Sequence, residues 1–187
     1  MRHNLPLKTI ILLTAWGFLA SGPIRGQLIY PDSSYVSFQA LRGKSDKVPG
    51  TIRGMEGKIL FDPQDPAQSQ FEVCVDPATI ETGIGLRDRH LKGGKFFDVK
   101  NFPVICFSSV NVEQQEDGYV VEGDLTIRGT TRRVTIPFSH ENGVFRGNFT
   151  INRLDFGVGF KGTGMVGNPV EIDIICVTFP ETTPSNP

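Results

Sequence analysis

The chain has 187 residues, a formal net charge of −1, and a composition that is 39% hydrophobic and 21% charged. This length allows one globular domain with processing segments, and the hydrophobic content is sufficient for a packed core. The near-neutral charge excludes a nucleic-acid binder that works mainly by attraction to phosphates, because such proteins carry a strongly basic surface.

The first 26 residues have the organisation of an export signal. Arg2 and Lys8 precede an apolar run over residues 10–20, and small residues follow as far as Gly26. About a dozen apolar residues are too few to span a bilayer, which needs roughly 20. We therefore expect a signal peptide over 1–26 rather than an uncleaved anchor. The processed chain is expected to be periplasmic or secreted, with no transmembrane anchor.

Three widely spaced cysteines follow at positions 74, 106 and 176. An oxidising compartment permits one disulfide among them and leaves one thiol. Each lies in an apolar, strand-like run, however, which favours three core residues over a redox or metal site. Only His90 and His140 remain after the signal peptide, so we expect no zinc site built from His and Cys.

From Gln27 onward the hydrophobic pattern repeats every two residues, which is typical of β-strands. Segments with one apolar face cover residues 35–40, 48–61, 71–76, 119–128, 133–139, 145–152 and 170–179. About eight strands of this kind, joined by short turns, predict an all-β fold in which an antiparallel sheet closes into an eight-stranded barrel. A sandwich of the same strands is the alternative.

Turn and bend signals fit this antiparallel order. Asp117-Gly118 and Asn142-Gly143 are strong hairpin signals, because type I′ turns need a positive φ. Gly129 marks a further tight reversal. Two glycines inside the predicted strand 48–61, at positions 54 and 57, predict a bend or bulge there.

Residues 82–94 break the strand pattern and predict a short helix, which Thr82 caps and Gly93 or Gly94 ends. At about 100° per residue, one face of this helix combines two apolar and two charged side chains, namely Ile84, Arg87, Asp88 and Leu91. Two interpretations stay open. Arg87 and Asp88 could form a pair that fixes the helix to the strands, or the helix cations could hold an anionic head group.

A barrel of about eight strands is either filled by its own side chains or holds one small ligand. The inward positions include the small residues Ala40, Gly123 and Gly147, with Cys106 and Ser108 as further candidates. Strands of about ten residues, tilted by about 40°, span on the order of 25 Å. This pattern favours a tunnel for a long, thin apolar ligand, although a fully packed structural barrel fits the phenylalanine content equally well.

Several separated motifs resemble the YceI-like family, in the same order and spacing. They are TGIGLRDRHLKGGKFFD (82–98) with NFP (101–103), VEGDLTIRGT (121–130), INRLDFG (151–157) and GKILFDP (57–63). The resemblance covers about residues 28–178. It implies a lipocalin-like antiparallel barrel, with one or two short helices at the mouth, that is exported and binds polyisoprenoids, isoprenoid quinones or similar amphiphiles. This chain departs from the family at residues 30–34, which lack a histidine common there.

The sequence thus predicts an exported, non-enzymatic protein that holds a long apolar ligand for transport, storage or sequestration. An enzyme acting on an amphiphile in the barrel, or a structural or adhesion module, is the alternative. The domain is expected over residues 27–180, followed by a disordered tail over 181–187. A homodimer is compatible with such a barrel, although no sequence feature demands one. No cofactor is expected beyond a bound polyisoprenoid or isoprenoid quinone.

The predicted binding residues fall into two groups. The head-group contacts are expected on the helix, at Arg87, His90 and Lys92. The tail path is expected to be lined by Phe38, Val121, Leu125, Phe145 and Phe149.

Overall fold

The computed structural model describes residues 26–42, 46–161 and 166–180. Its strands are β1 (Gly26–Ile29), β2 (Tyr35–Arg42), β3 (Asp46–Leu60), β4 (Gln70–Glu81), β5 (Ile105–Gln115), β6 (Gly118–Ile127), β7 (Thr130–Glu141), β8 (Val144–Asn152) and β9 (Val166–Pro180). One α-helix, α1 (Gly85–Leu91), and two 3₁₀ helices, Pro66–Gln68 and Arg153–Phe156, complete the described part. The predicted signal peptide before Gly26 and the predicted tail over 181–187 lie outside the described residues.

The strands form one closed antiparallel sheet. Its order is β1-β3-β2-β9-β8-β7-β6-β5-β4, and β3 also pairs with β4. Both β1 and β2 lie between β3 and β9, so they occupy one position in the barrel, with residues 30–34 interrupting it. Nine strands therefore fill eight positions, which confirms the predicted eight-stranded barrel. Gly26, expected as the last residue of the signal peptide, opens β1 opposite Leu60.

Most of the predicted turns and bends are confirmed, but the turn predicted at Asp117-Gly118 lies one residue earlier: Gln115 pairs with Gly118, and Asp117 lacks the positive φ of a type I′ turn. Asn142 and Gly143 both have positive φ, at 51° and 77°, as a type I′ hairpin requires. Gly129, at φ 70°, lies in the reversal between β6 and β7. In β3, Gly54 and Gly57 have φ values of 68° and 135°, and the register with β4 shifts around them. A Cβ at Gly57 would lie 2.0 Å from a backbone oxygen of β4, so only glycine allows this approach.

The two ends of the barrel differ in their connections. One end, here called the mouth end, carries α1, the 3₁₀ helix Arg153–Phe156 and the connection from α1 to β5. The other end, here called the closed end, carries β1, the 3₁₀ helix Pro66–Gln68 and the hairpin turns that precede β6 and β8. Within the described residues, the α-helix therefore lies at the same end of the barrel as the 3₁₀ helix Arg153–Phe156.

The start of α1 differs from the prediction. Ile84 is the N-cap residue and no side chain caps the helix, so the predicted cap by Thr82 is wrong. Thr82 lies two residues too early to reach the first free amides of the helix. The backbone N–H of Thr82 instead donates to the Asp88 carboxylate at 2.9 Å, and the Thr82 hydroxyl donates to the same carboxylate. Arg87 donates to the Thr82 hydroxyl and carbonyl oxygens, at 2.7 and 2.6 Å.

Arg87 and Asp88 thus hold α1 to the end of β4, as one interpretation proposed, but each binds Thr82 rather than the other. The reason is geometric, because adjacent residues on a helix do not face each other.

Aromatic side chains fill the barrel at the closed end. The Phe61 ring centroid lies 5.0 Å from that of Tyr119, 5.8 Å from that of Phe138 and 5.3 Å from that of Phe145. We call the whole group the aromatic plug: Phe61, Phe71, Tyr119, Phe138, His140 and Phe145. Burial lowers the pKa of His140, so its imidazole is neutral at neutral pH and the plug carries no charge.

Candidate ligand-binding cavity

The barrel encloses a cavity of about 250 Å³. It extends from Phe96 and Val158 at the mouth end to Phe71, Phe138 and Phe145 in the aromatic plug. Well-packed interiors contain few voids larger than a water molecule. The barrel is therefore not packed solid, and the cavity has the apolar walls that the strand pattern predicts.

All five residues predicted for the tail path line this cavity. Phe38 comes from β2, Val121 and Leu125 from β6, and Phe145 and Phe149 from β8. Each occupies an inward position of its strand, where side chains alternate between the interior and the surface. The structure brings these residues together around one space, and their contact with a ligand stays a prediction.

The small inward residues have two different roles. Ala40 and Gly147 line the cavity. Gly123 does not leave open space, because a Cβ there would lie 2.4 Å from the Phe107 ring. The missing side chain at Gly123 is replaced by a cross-strand aromatic ring, so the prediction that this glycine widens the tunnel is wrong.

Cys74 and Cys106 form a disulfide, and they lie directly opposite each other on β4 and β5. Both are half-buried, while Cys176 is buried and free. One disulfide and one remaining thiol are what an oxidising compartment permits, and Cys106 lines the cavity as a candidate inward residue. The interpretation of all three cysteines as separate core residues is wrong for the bonded pair, because it lacked the register that makes them neighbours. Ser108, two residues along β5, faces outward and donates to Glu72, so it does not line the tunnel.

Cys176 places its thiol in the cavity wall. Burial raises the pKa of this thiol to about 12, although a hydrogen bond with Ser34 acts in the opposite direction. The thiol is therefore neutral at physiological pH and behaves as a small apolar group.

Arg153 is the one charged side chain that lines the cavity among the described residues, and only 7% of its surface is exposed. Its guanidinium donates to the carbonyl oxygens of Val158 at 2.6 Å and Gly167 at 2.9 Å. It also donates to the carbonyl oxygens of Phe160 at 3.2 Å and Val166 at 3.1 Å, and to the side-chain amide oxygen of Asn168 at 3.5 Å.

These hydrogen bonds connect residues 158–160 with residues 166–168. Arg153 therefore holds together the two ends of the loop between the 3₁₀ helix and β9, at the mouth end. Burial lowers the pKa of Arg153, but a guanidinium stays protonated at any ordinary pH. Arg153 is not among the residues that the sequence pattern predicts for the site. The available signal was a cation inside the motif 151–157, between the half-buried Ile151 and the buried Phe156.

The predicted head-group residues lie on or beside α1, outside the cavity lining. Arg87 binds Thr82, His90 is exposed with its ring centroid 5.1 Å from that of Phe96, and Lys92 is the C-cap of the helix. Leu91 is the residue of α1 that lines the cavity. The structure thus places α1 in the mouth wall, and head-group binding by its three cations stays a prediction.

Two other kinds of feature, a metal site and a membrane-spanning helix, are absent from the residues that the structure describes. Within residues 26–42, 46–161 and 166–180, no group of three or more His, Cys, Asp or Glu side chains is placed to hold a metal ion. In the same ranges, no helix has both the length and the apolar character needed to cross a bilayer.

Comparison with known proteins identifies the family. The YceI-like domain matches residues 28–177, which is most of the chain. The chain belongs to the YceI-like family. Similar relatives include a UPF0312 protein of Serratia proteamaculans, 27% identical over 169 residues that cover 81% of this chain and 86% of the relative. A UPF0312 protein of Photorhabdus laumondii is 30% identical over 134 residues, covering 69% and 70%.

Solved structures show the same YceI-like fold. Burkholderia cenocepacia BcnA superposes with a TM-score of 0.74 at 28% identity, covering 80% of this chain and 98% of that protein. A polyisoprenoid binding domain from Saccharophagus degradans, implicated in plant cell wall breakdown, has a TM-score of 0.61 at 10% identity, covering 85% and 100%. At 10% identity, the second likeness concerns the fold alone.

Proposed function

We propose that this YceI-like protein binds a long apolar amphiphile, of the polyisoprenoid or isoprenoid quinone class, inside its barrel. The observation that carries the proposal is a deep cavity with apolar walls, an uncharged aromatic plug at one end and, near the other, Arg153 as the one cation of the wall among the described residues. The Saccharophagus degradans domain with the same fold is described as polyisoprenoid binding, which supports this ligand class.

The distribution of polarity supports one direction for the ligand. At the floor of the cavity the lining side chains of the plug are Phe71, Phe138 and Phe145, so a polar group placed against these rings would lose its hydration, which costs several kcal/mol. A hydrocarbon tail gains about 0.8 kcal/mol for each buried CH₂. The ligand therefore places its tail toward the plug and its polar end toward the mouth, where Arg153 and water can solvate it.

We propose binding, for transport, storage or sequestration, rather than chemical conversion. General acid–base or nucleophilic catalysis needs a titratable group that is active near neutral pH. Among the described residues, the cavity wall offers Cys176, whose thiol pKa is about 12, and a guanidinium. Neither is suited to exchange protons with a substrate at pH 7.

The test is the chemical identity of the bound molecule. The protein is purified from its own host without detergent and extracted with organic solvent, and the extract is analysed by mass spectrometry. We expect a prenyl chain near one molecule per protein. Ala40 lines the cavity close to the mouth, so Ala40→Phe should fill the entrance and reduce the recovered ligand at least tenfold.

The matched control is Ala78→Phe, which adds the same ring at an exposed position of β4 and should retain the ligand. If Ala40→Phe retains the ligand, the ligand binds outside the barrel and the proposal is wrong. An extract with no lipid, together with failure to load the protein from a lipid mixture, would contradict the proposal.

We also propose that the protein acts in the periplasm or outside the cell. The apolar run over residues 10–20 supports export. Mass spectrometry of the purified protein gives its N-terminal residue, and an intact residue 1 would contradict processing. Analytical ultracentrifugation of the same sample decides between a monomer and the homodimer compatible with such a barrel.

A further inference from the structure

Large hydrophobic side chains are exposed around the mouth end. Leu86 is 75% exposed, Ile84 52%, Phe160 46% and Val104 44%. We call these four residues the apolar rim. They come from α1, its N-cap, the residue before β5 and the segment before β9, so they surround the entrance to the cavity.

Part of the rim is continuous through aromatic contacts. Leu86 and His90 are four residues apart and share one face of α1. The His90 ring centroid lies 5.1 Å from that of Phe96, which in turn lies 6.0 Å from that of Phe160. The Gly159 N–H donates to the carbonyl oxygen of Lys95 at 2.9 Å and joins the two loops. The part of the rim from Leu86 to Phe160 is therefore linked through His90 and Phe96.

The same end of the barrel is cationic. The connection between β4 and β5 carries five cations and two acids, and the neighbouring loops add Arg128 and Lys161 against Asp155. The five cations are Arg87, Arg89, Lys92, Lys95 and Lys100. Within the described residues, the ion pairs formed by Lys47 and Arg133 lie on strands, and none involves these loop cations.

The connections at the closed end carry acids and no cation in their described residues 30–34, 61–69, 116–117 and 142–143. The acids there are Asp32, Asp62, Asp65, Glu116 and Asp117. The barrel thus has opposite charge at its two ends, and the cationic end is the one with the apolar rim.

We infer that the mouth end docks on an anionic lipid bilayer, with the apolar rim inserted and the surrounding lysines at the head groups. Apolar side chains flanked by cations are the surface that binds anionic membranes. Docking in this orientation would let a ligand tail pass between bilayer and cavity without crossing water. The inference goes beyond the ligand proposal, since docking does not require that the cavity be filled.

The first test uses tryptophan as a reporter. Trp16 is the only tryptophan of the chain and lies in the predicted signal peptide, so the processed protein provides a silent background. In that background, Leu86→Trp should show a blue-shifted and stronger emission when mixed phosphatidylcholine–phosphatidylglycerol vesicles are added. Val110→Trp is the matched control, because Val110 is 59% exposed on β5, away from the rim, and its emission should not change.

The second test concerns the charges. Each cation near an anionic surface contributes about fivefold in partitioning, so Lys95→Gln with Lys161→Gln should weaken sedimentation with these vesicles about 25-fold. Lys58→Gln with Arg146→Gln removes two exposed cations from the barrel wall and should have a much smaller effect. Equal losses in the two double variants would overturn a mouth-specific docking surface.

Other outcomes are equally decisive. An unchanged Leu86→Trp spectrum overturns bilayer docking. A blue shift that needs no vesicles and grows with protein concentration assigns the rim to a contact between two copies of the chain instead. Mass spectrometry of the same samples separates the two proposals. Protein that docks on vesicles but carries no ligand would contradict the proposed ligand binding alone. Protein that carries ligand but never docks would contradict the proposed docking alone.

Discussion

Arg153 is a buried cation whose described partners are all uncharged. Its five acceptors are oxygens of the segment 158–168, so one side chain satisfies backbone groups that would otherwise lie unpaired at the mouth. Lysine would keep the charge but not the planar fork that reaches both sides of the segment. We therefore expect Arg153→Lys to lower the free energy of unfolding by about 2–4 kcal/mol.

Urea denaturation measures this loss, and hydrogen exchange should show faster opening of residues 157–161 and 166–168 in the variant. Arg146→Lys is the control, because Arg146 is exposed on β8 and its replacement should change stability very little. If both variants were equally stable, the hydrogen bonds of Arg153 would not be what stabilises residues 157–161 and 166–168.

Cys176 makes the stability of the barrel sensitive to alkaline pH. Its pKa is raised from an ordinary value of 9.0 to about 12 in the folded protein. Between these values the unfolded chain loses the thiol proton while the folded protein keeps it, so the unfolding free energy falls as pH rises. The slope contributed by this group is up to about 1.4 kcal/mol per pH unit.

Urea denaturation at pH 8, 9 and 10 should show this decline, and Cys176→Ala should flatten it relative to the parent protein. The slope is the readout, because the absolute stability also changes when a buried side chain is shortened. Identical slopes in the two proteins would contradict a buried, neutral thiol.

At the scale of the strands and helices, local rules predict most of what the structure shows. The alternation of apolar residues identifies β2 to β4 and β6 to β9, and the Asn142-Gly143 pair marks a hairpin because its backbone conformation is intrinsic to those residues. The sharing of one barrel position by β1 and β2 is not predictable in this way. It depends on the pairing of Gly26 with Leu60 and of Leu28 with Phe179, across long stretches of sequence.

The disulfide stabilises a short seam between two of these strands. Only four residue pairs join β4 to β5, and Cys74–Cys106 is one of them. A cross-link over a separation of 32 residues restricts the unfolded chain by about 3–4 kcal/mol. We therefore expect the double variant Cys74→Ala/Cys106→Ala to lose about this much unfolding free energy in urea.

The same variant tests where the effect acts. The disulfide spans the connection that contains α1, so hydrogen exchange should rise in β4, β5 and α1 before it rises in β8. A reducing agent should destabilise the parent protein by a similar amount and leave the double variant unchanged. A parent protein that is insensitive to reduction would show that the two cysteines are not bonded.

For the whole molecule, the sequence predicts a tunnel, its wall and a helix at the mouth, but not what fills the other end. Phe38, Val121 and Phe149 follow from strand alternation, since each strand independently turns one face inward. The aromatic plug joins residues from β4, β6, β7, β8 and the residue after β3, and these meet only once the barrel closes. Arg153 was missed for the same reason, because its acceptors lie partly in the loop that follows it and partly at the start of β9, and these meet only in the folded chain.

The plug also predicts an upper limit on ligand length. Phe61 contacts the rings of Phe71, Phe138 and Phe145, which line the cavity, but does not line it itself. It therefore supports the floor of the cavity from the solvent side. Phe61→Ala should remove this support and lower the unfolding free energy by about 3–5 kcal/mol. The floor rings can then move outward, and the cavity becomes longer.

Loading the variant from an equimolar mixture of isoprenoid quinones of different chain lengths, followed by mass spectrometry, measures this effect. The bound fraction should shift toward longer chains in Phe61→Ala and stay unchanged in Phe179→Ala, whose ring packs on Tyr30 outside the plug. Phe61→Leu, which keeps part of the volume, should give an intermediate distribution. If all three variants bind the parent distribution, tail length is not limited at the closed end, and the tail-inward orientation of the ligand loses its main structural support.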